Sequence, residues 1–373
     1  MSPVKVREVS SPQDLDRFVR LPFGIYDEHP NWVAPLVEDV KNALTPGKNP
    51  FWNHAERKLF LAEKGDVAVG RIAATVDRNY NDYHRSAIGF FGFFETAFDS
   101  EVPPALFEAA CAFCRGKGMK AVYGPANPSL NDESGLLVSG HDSPPMIRMS
   151  YNPEFYAGMI EAAGFTKVKD LHAYEVKVRD EMPPKFERVM KKLKTKPGVV
   201  VRPANLKRLK DDLEIIKEIY NDAWSRNWDF APMTSAEIDQ MARQLRPLII
   251  PDLCPIVFLH GEPAAMSVAL PDYNQILHDI GGSLFPFGWL RFLSRRRRIT
   301  QGRLWALGVK SRFRNLGFDS LLYYESFAAA RRLGYTRGEV SWILEDNVAI
   351  IRPILQLGGK LYKTYRIYQR SLV

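Results

Sequence analysis

Two stretches of the chain repeat one pattern of apolar and polar positions. From Val6, VREVSSPQDLDRFVRLPFGIY reads as a short strand followed by an amphipathic helix, and VRPANLKRLKDDLEIIKEIY, from Val201, reads the same way 195 residues later. LFLAEKGDVAVGRIAAT places two β-runs around a turn at Lys64-Gly65-Asp66. IVFLHGEPAAMSVAL does so around Gly261, 196 residues after Gly65. Each half closes with an Asn, a helical segment, a Gly and a strand. These run from Asn152 to Gly164-Phe165 and from Asn347 to Gly358-Gly359, at offsets of 195 and 194. Four landmarks in register predict two copies of one α/β unit, at residues 1–180 and 198–373. Between them, residues 181–197 read as a basic linker. Lys191, Lys192, Lys194 and Lys196 precede Pro197-Gly198, the pattern of a solvated helix with a stop.

Composition narrows the class. Aromatic residues make up 12% of the 373, which excludes dominant disorder. Three cysteines exclude a disulfide scaffold and fit a reducing compartment. No apolar run is long enough to span a bilayer, and the first residues lack the apolar core of a signal peptide, so a cytoplasmic protein is expected. A net charge of +8 favours anionic partners: nucleic acid, a membrane surface or phosphorylated ligands. There is no Ser-nucleophile elbow, Walker loop or zinc-protease motif. Cys111 and Cys114 sit in a helical run with no second pair, so they read as a packed face and no metal is expected.

The chemistry concentrates in LWALGVKSRFRNLGFDSLL, Leu304–Leu322. An apolar strand enters a polar loop that opens a helix at about Gly317. Arg312 and Arg314 flank the turn, and Asn315-Leu316-Gly317 lead the chain into the helix. A helix N-terminus binds phosphate because its unpaired N–H groups and its dipole face the ligand.

This segment resembles the acyl-CoA signature of the GCN5-related N-acetyltransferase superfamily. Arg314 and Gly317 match it, while Asp319 replaces a small residue. SWILEDNVAIIRPILQLGGKLYKTYRIY resembles the superfamily's strand, Asn-led helix and closing strand. The resemblance implies two tandem units with mixed central sheets flanked by helices. It also implies an acyl-CoA site along Leu307, Gly308, Val309, Arg312, Arg314, Asn315, Leu316, Gly317, Phe318 and Asn347, with no metal. A backbone N–H near Val309 would polarise the thioester carbonyl. The superfamily often carries a Tyr seven residues after the Asn to protonate the leaving thiolate. Here Ile354 stands there, leaving Tyr362 and Tyr365 as nearby candidates.

In the first half the corresponding turn carries Glu95, Asp99 and Glu101, which would repel a pyrophosphate. One acyl-CoA site is therefore expected, in the second half. The long loop Tyr123–Tyr156 offers Asn127, Asn131, Asp132 and Glu133 to a polar head group, or uses them as Asx-turn punctuation. GPANPSLNDESGLL, SPPMIRMSYNPEFY, LPDYN, SWILEDN and KTYRIY resemble a bacterial group of two-unit acyltransferases that includes the bacterial ceramide synthase. That resemblance implies transfer of a long acyl chain from acyl-CoA to a sphingoid amine. Tyr156, Asp272 and Asn274, within these motifs, join Asn127, Asn131 and Glu133 as candidate substrate ligands.

Amine acylation needs a base. His278-Asp279, Asp272, Glu339, Glu345 and Asp346 are candidates, with His278 and Glu339 preferred and Tyr362 added as the acid. Phe285, Phe287, Trp289, Leu290, Phe292 and Leu293 stand beside Arg291 and Arg295–Arg298, an apolar-aromatic run that fits peripheral contact with an anionic membrane on its cytoplasmic face. Nucleic acid is not favoured, because no reader motif accompanies the arginines. Two other readings stand beside the enzyme: a non-catalytic acyl-CoA or lipid-binding protein, kept alive by Ile354, and an aminoacyl-tRNA-dependent transferase.

Overall fold

A computed structural model describes residues 3–178, 181–225 and 227–373. The strands and helices run, in chain order, β1 (Val4–Glu8), α1 (Pro12–Ile25), α2 (Val37–Leu44), β2 (Ala55–Lys64), β3 (Val67–Asp77), α3 (Arg78–His84), β4 (Ile88–Thr96), α4 (Val102–Gly116), β5 (Ala121–Gly124), β6 (Ala126–Asn127), β7 (Glu133–Ser134), β8 (Leu136–Ser139), α5 (Tyr156–Ala162) and β9 (Thr166–Lys177). They continue with α6 (Pro184–Lys194), β10 (Val199–Pro203), α7 (Leu209–Trp224), α8 (Ser235–Leu245), β11 (Pro255–Leu259), β12 (Glu262–Pro271), α9 (Asn274–Leu277), α10 (Gly288–Arg295), β13 (Gln301–Val309), α11 (Phe318–Arg332), β14 (Arg337–Leu344), α12 (Val348–Gln356) and β15 (Lys360–Ser371). From β1 and β10 onward the two halves share an order of elements, interrupted by β6 to β8 in the first and by α10 in the second.

The chain forms two compact units, neither of them one stretch of sequence. Unit 1 holds the chain up to Leu171 together with Ile276–Ser294 and Lys363–Val373; unit 2 holds His172–Gln275 and Arg295–Tyr362. β9 and β15 are each divided between them, so both halves of the sequence contribute to each unit.

In unit 1, β1 to β5 pair in sequence order. Only β4–β5 is parallel, and residues of β15 close the edge against β5. The core stacks Phe91, Phe94, Phe107 and Phe165 around Tyr156. In unit 2, the antiparallel run β10-β11-β12-β13 meets β14 in parallel. The matching hairpins turn at Gly65 and Gly261, whose φ values of +63° and +81° favour glycine.

Helix α6 lies in the stretch read as a solvated linker, and it does more than link. Met190 and Leu193 are buried in the unit 2 core beside Phe186. These three residues recur at helical spacing, so the lysines are left on the outer face, where Lys191 pairs with Glu187 (2.8 Å) and Lys194 with Glu325 (2.7 Å).

The three cysteines are buried and unbridged. Burial pushes the Cys114 and Cys254 thiols up to about 12 and raises that of Cys111. Ellman's reagent is therefore expected to find no thiol in the native protein and three after denaturation. Fast labelling of the native chain would contradict this packing.

Candidate functional site

The parallel β13–β14 register runs from Gln301–Arg337 to Leu304–Val340. Beyond it β13 continues against β12 as far as Val309, and among the described residues no further β13–β14 pair follows. A bulge accounts for the parting. Val268 faces Ala306 while Ala269 faces Leu304, so Trp305 is an extra residue in β13. Such a residue bends its strand and increases the local twist.

The parted strands border a cleft of about 650 Å³. One wall carries Leu307, Gly308 and Val309; another carries Leu344, Asp346 and Asn347; Trp224 and Trp228 also line it. A Cβ on Gly308 would lie 2.3 Å from the Trp224 ring, so glycine is what lets that ring reach the strand. Asn347 caps α12 by accepting the Ile350 N–H (3.4 Å).

The loop after β13 is held by acids and by main chain. The Ser311 N–H donates to Asp222, and Lys310 pairs with Glu218 (2.5 Å). Arg312 pairs with Glu262, and Arg314 donates to the Ala223 carbonyl (2.9 Å). Asn315 and Gly317 take φ values of +66° and +83°. Gly317 then caps α11 with no side-chain acceptor, and the first helical bond runs from Leu321 N–H to the Gly317 carbonyl (3.0 Å). The amides of Phe318, Asp319 and Ser320 therefore precede the helical bonding pattern, and Phe318 and Asp319 line the cleft. Main-chain amides at such a helix end suit an anion. Of the expected acyl-CoA residues, Leu307, Gly308, Val309, Arg314, Asn315, Phe318 and Asn347 line the cleft. Arg312, Leu316 and Gly317 shape the loop without lining it.

Next to the last β13–β14 pair lies a buried charged network. Arg303 and Glu339 face each other in register, 0% and 1% exposed, with 3.4 Å between Arg303 Nε and Glu339 Oε1. Arg303 donates to Ser341 Oγ (2.8 Å), Ser341 donates to Glu339 (2.5 Å), and the half-buried Tyr362 hydroxyl donates to the other Glu339 oxygen. Two of the three expected catalytic residues, Glu339 and Tyr362, are thus brought together, although neither lines the cleft. Ile354 is fully buried over Gly359 and offers no proton.

No family model matches the chain. It is 37% identical over 376 residues to the bacterial ceramide synthase of Caulobacter vibrioides (strain NA1000 / CB15N), covering 99% of this chain and 98% of that protein. It is 33% identical to Protein YghO of Escherichia coli (strain K12), covering 98% and 95%. The chain belongs to the bacterial ceramide synthase family. Its fold is similar to that of a tandem GCN5-related N-acetyltransferase protein from the clavulanic acid biosynthesis pathway, with a TM-score of 0.59, 10% identity and 99% of both chains covered. A GCN5-related N-acetyltransferase from Sphaerobacter thermophilus gives a TM-score of 0.57 at 14% identity, with 100% and 97% covered. This member of the family is an acyltransferase on that fold, which sets aside the reading as a mere binder.

In unit 1 of this ceramide synthase family member, the described residues close the gap that corresponds to the cleft. Its β4–β5 register ends at Phe90–Tyr123, and the chain that follows fills the gap. A Cβ on Gly92 would lie 1.9 Å from the Ala126 carbonyl oxygen, and Asn127 Oδ1 accepts the Phe93 N–H (2.6 Å). Tyr156 is fully buried; its hydroxyl donates to Glu95 (2.9 Å) and accepts the Thr96 N–H (2.8 Å). Tyr26 donates to the same carboxyl (2.8 Å), and Arg71 lies 3.6 Å from it. Burial pushes the Glu95 carboxyl above its ordinary range. Asn127 and Tyr156, expected as substrate ligands, are engaged in this packing instead.

The remaining candidates are scattered. Asn131 and Glu133 sit in the unit 1 loop, where the Asn131 N–H donates to Ser129 and Glu133 pairs in register with Asn127. Asp272 is buried after β12 and accepts the Asn274 N–H (3.3 Å), an Asx-turn. His278 was expected on a strand beside the thioester. Because β12 ends at Pro271, the chain has left the sheet by then, and His278 Nε2 meets the Pro30 carbonyl in unit 1 (2.8 Å). None of these five, Asn274 included, lines the cleft.

Sequence reasoning missed Arg303, Ser341 and the two tryptophans. The signals were present. Arg303 is a lone charge entering an apolar strand, and Trp224 and Trp228 recur four residues apart at the end of an amphipathic helix.

Proposed function

We propose that this chain transfers an acyl group from acyl-CoA to the amine of a lipid-like acceptor, with the diphosphate seated on the α11 amides and pantetheine running along Leu307–Val309. The observation that carries the reading is the fork between β13 and β14, with its uncapped helix end. An extended pantetheine arm can pair with the β13 main chain that β14 has left. The amine nitrogen attacks the thioester carbonyl, the C–N bond forms as the C–S bond breaks, and the sulfur leaves as thiolate. The nitrogen's proton passes to Tyr362 as the Tyr362 proton moves to Glu339, along a hydrogen bond already in place. Arg303 positions that carboxylate.

The similarity to a protein named for ceramide synthesis supports a sphingoid-base-like amine as acceptor. The purified protein should release thiol from decanoyl-CoA only when sphinganine is added; no release with any long-chain amine would contradict the reading. Glu339→Gln should lower kcat about a hundredfold, within the range of acid–base contributions, and leave coenzyme A affinity unchanged. An undiminished kcat would remove Glu339 from the proton path.

A lipid-like acceptor also gives a role to residues 283–298. Phe285, Phe287, Trp289, Leu290 and Leu293 are 83%, 68%, 48%, 47% and 52% exposed, and the arginines follow directly in the chain. Large exposed apolar side chains next to arginines suit an anionic bilayer surface. No described helix is long and apolar enough to cross a membrane. Vesicles containing phosphatidylglycerol should sediment the protein, and a Phe285→Ser/Trp289→Ser double variant should bind them about tenfold more weakly. Equal binding by the variant would remove this surface from the account.

A further inference from the structure

A second, smaller cavity lies at the root of the fork, on the opposite face of the sheet from the charged network. Successive side chains of a strand point to opposite faces. Arg303 and Glu339 occupy one face, so Gly302, Leu304, Gly338 and Val340 occupy the other, beneath α11. There they border a space of about 70 Å³ with Tyr323, Ser326, Phe327, Ala330 and Tyr335. Its surface is almost entirely carbon. Arg337 and Glu339 border it too, but the Glu339 carboxylate is turned toward Ser341 and Tyr362.

Two features tie this space to the reaction. Leu304–Val340, which lines it, is also the last β13–β14 pair before the strands part. The cleft's own strand residues, Leu307 and Leu344, stand three and four positions further along β13 and β14. Next along the ladder, Gly302 pairs with Gly338, so neither strand places a side chain there. A Cβ added at Gly338 would meet Val178 Cγ2 at 3.6 Å, an ordinary contact, so the space is not forced by backbone crowding at that position.

We propose that this cavity receives the hydrocarbon chain of the thioester. The inference rests on the acyl-CoA reading and adds the acyl subsite and its class, an unbranched alkyl chain. With the thioester carbon at the fork, the tail leaves through the α11 face, and the opposite face, with Glu339, is kept for the amine. The space is roughly half of a 150 Å³ cavity that admits benzene, so it takes the first carbons of a chain. Phe327, Ala330 and Leu357 are only partly buried, and a longer chain continues outward past them. Each buried methylene is worth roughly fourfold in affinity.

The test compares coenzyme A, acetyl-CoA and decanoyl-CoA by calorimetry on the full chain, on Gly338→Val and on Ala330→Leu. Valine suits a strand interior and leucine a helix, and a thermal melt verifies folding of each variant. The unmodified protein should bind decanoyl-CoA at least twentyfold more tightly than coenzyme A. Both variants should lose at least tenfold for decanoyl-CoA while binding coenzyme A and acetyl-CoA within twofold of the unmodified protein. Coenzyme A binding with no gain from the chain, or full decanoyl-CoA affinity in both folded variants, overturns this inference alone. No coenzyme A binding by the unmodified protein overturns the acyl-CoA reading and the inference with it.

Discussion

Gly317→Glu reduces affinity for coenzyme A at least a hundredfold, and Asn315→Asp reduces it about tenfold. The seat consists of amides at the start of α11, and Gly317 caps that helix without supplying an acceptor of its own. A glutamate there brings an oxygen acceptor to amides otherwise left for the ligand, and a negative charge against the diphosphate. A hundredfold is about 2.7 kcal/mol. One pair of like charges a few ångströms apart near a protein surface repels by a comparable amount. Backbone strain adds to this, since φ at Gly317 is +83° and a Cβ would stand 3.3 Å from Leu193. Asn315→Asp separates charge from strain. It is isosteric, both residues tolerate the left-handed φ of +66° at that position, and it faces the cleft directly. Titration calorimetry reads both. Unchanged affinity in both would place the ligand elsewhere.

Arg303→Met costs about 3–5 kcal/mol of stability, enough to lower the melting temperature by roughly 10 °C. Glu339 would be left in a site 1% exposed, with Ser341 and Tyr362 for partners and its paired guanidinium gone. Burying a carboxylate without a countercharge is among the costliest single changes a core can suffer. The Arg303→Met/Glu339→Leu double variant should regain most of that loss, because an apolar pair of similar volume replaces a buried ion pair at little cost. It should nonetheless stay inactive, having lost the proton acceptor. Thermal unfolding of the three proteins checks this; a single variant as stable as the parent would show that the pair is dispensable.

Much of this architecture was legible because it rests on local chemistry. The hairpins announce themselves through glycines at the turn, and Asn347 announces α12 as a cap. Strand β13 and the start of α11 fall within three residues of where the apolar run and Gly317 place them. The loop after β13 was readable for the same reason, since Val309–Gly317 is nine consecutive residues. What the sequence hid depends on three-dimensional register. The Trp305 bulge that opens the fork is visible only as a mismatch with β12. The Arg303–Glu339 pair joins residues 36 apart and needs the β13–β14 alignment to be seen. Asn127 and Tyr156 look like exposed polar ligands in a long loop and a helix start, yet they fill the unit 1 gap and core. His278 misleads in the opposite way. Its neighbours Asp272 and Asp279 suggest a catalytic cluster, but the sheet has ended at Pro271.

The central claim is that the chain carries one acyl-CoA seat, at the fork of unit 2, while the corresponding gap in unit 1 is filled by its own residues 125–127. Calorimetric titration of the 373-residue protein with coenzyme A tests this directly through stoichiometry. The account predicts saturation at one molecule per chain. Two molecules per chain, or no heat of binding at all, would contradict it.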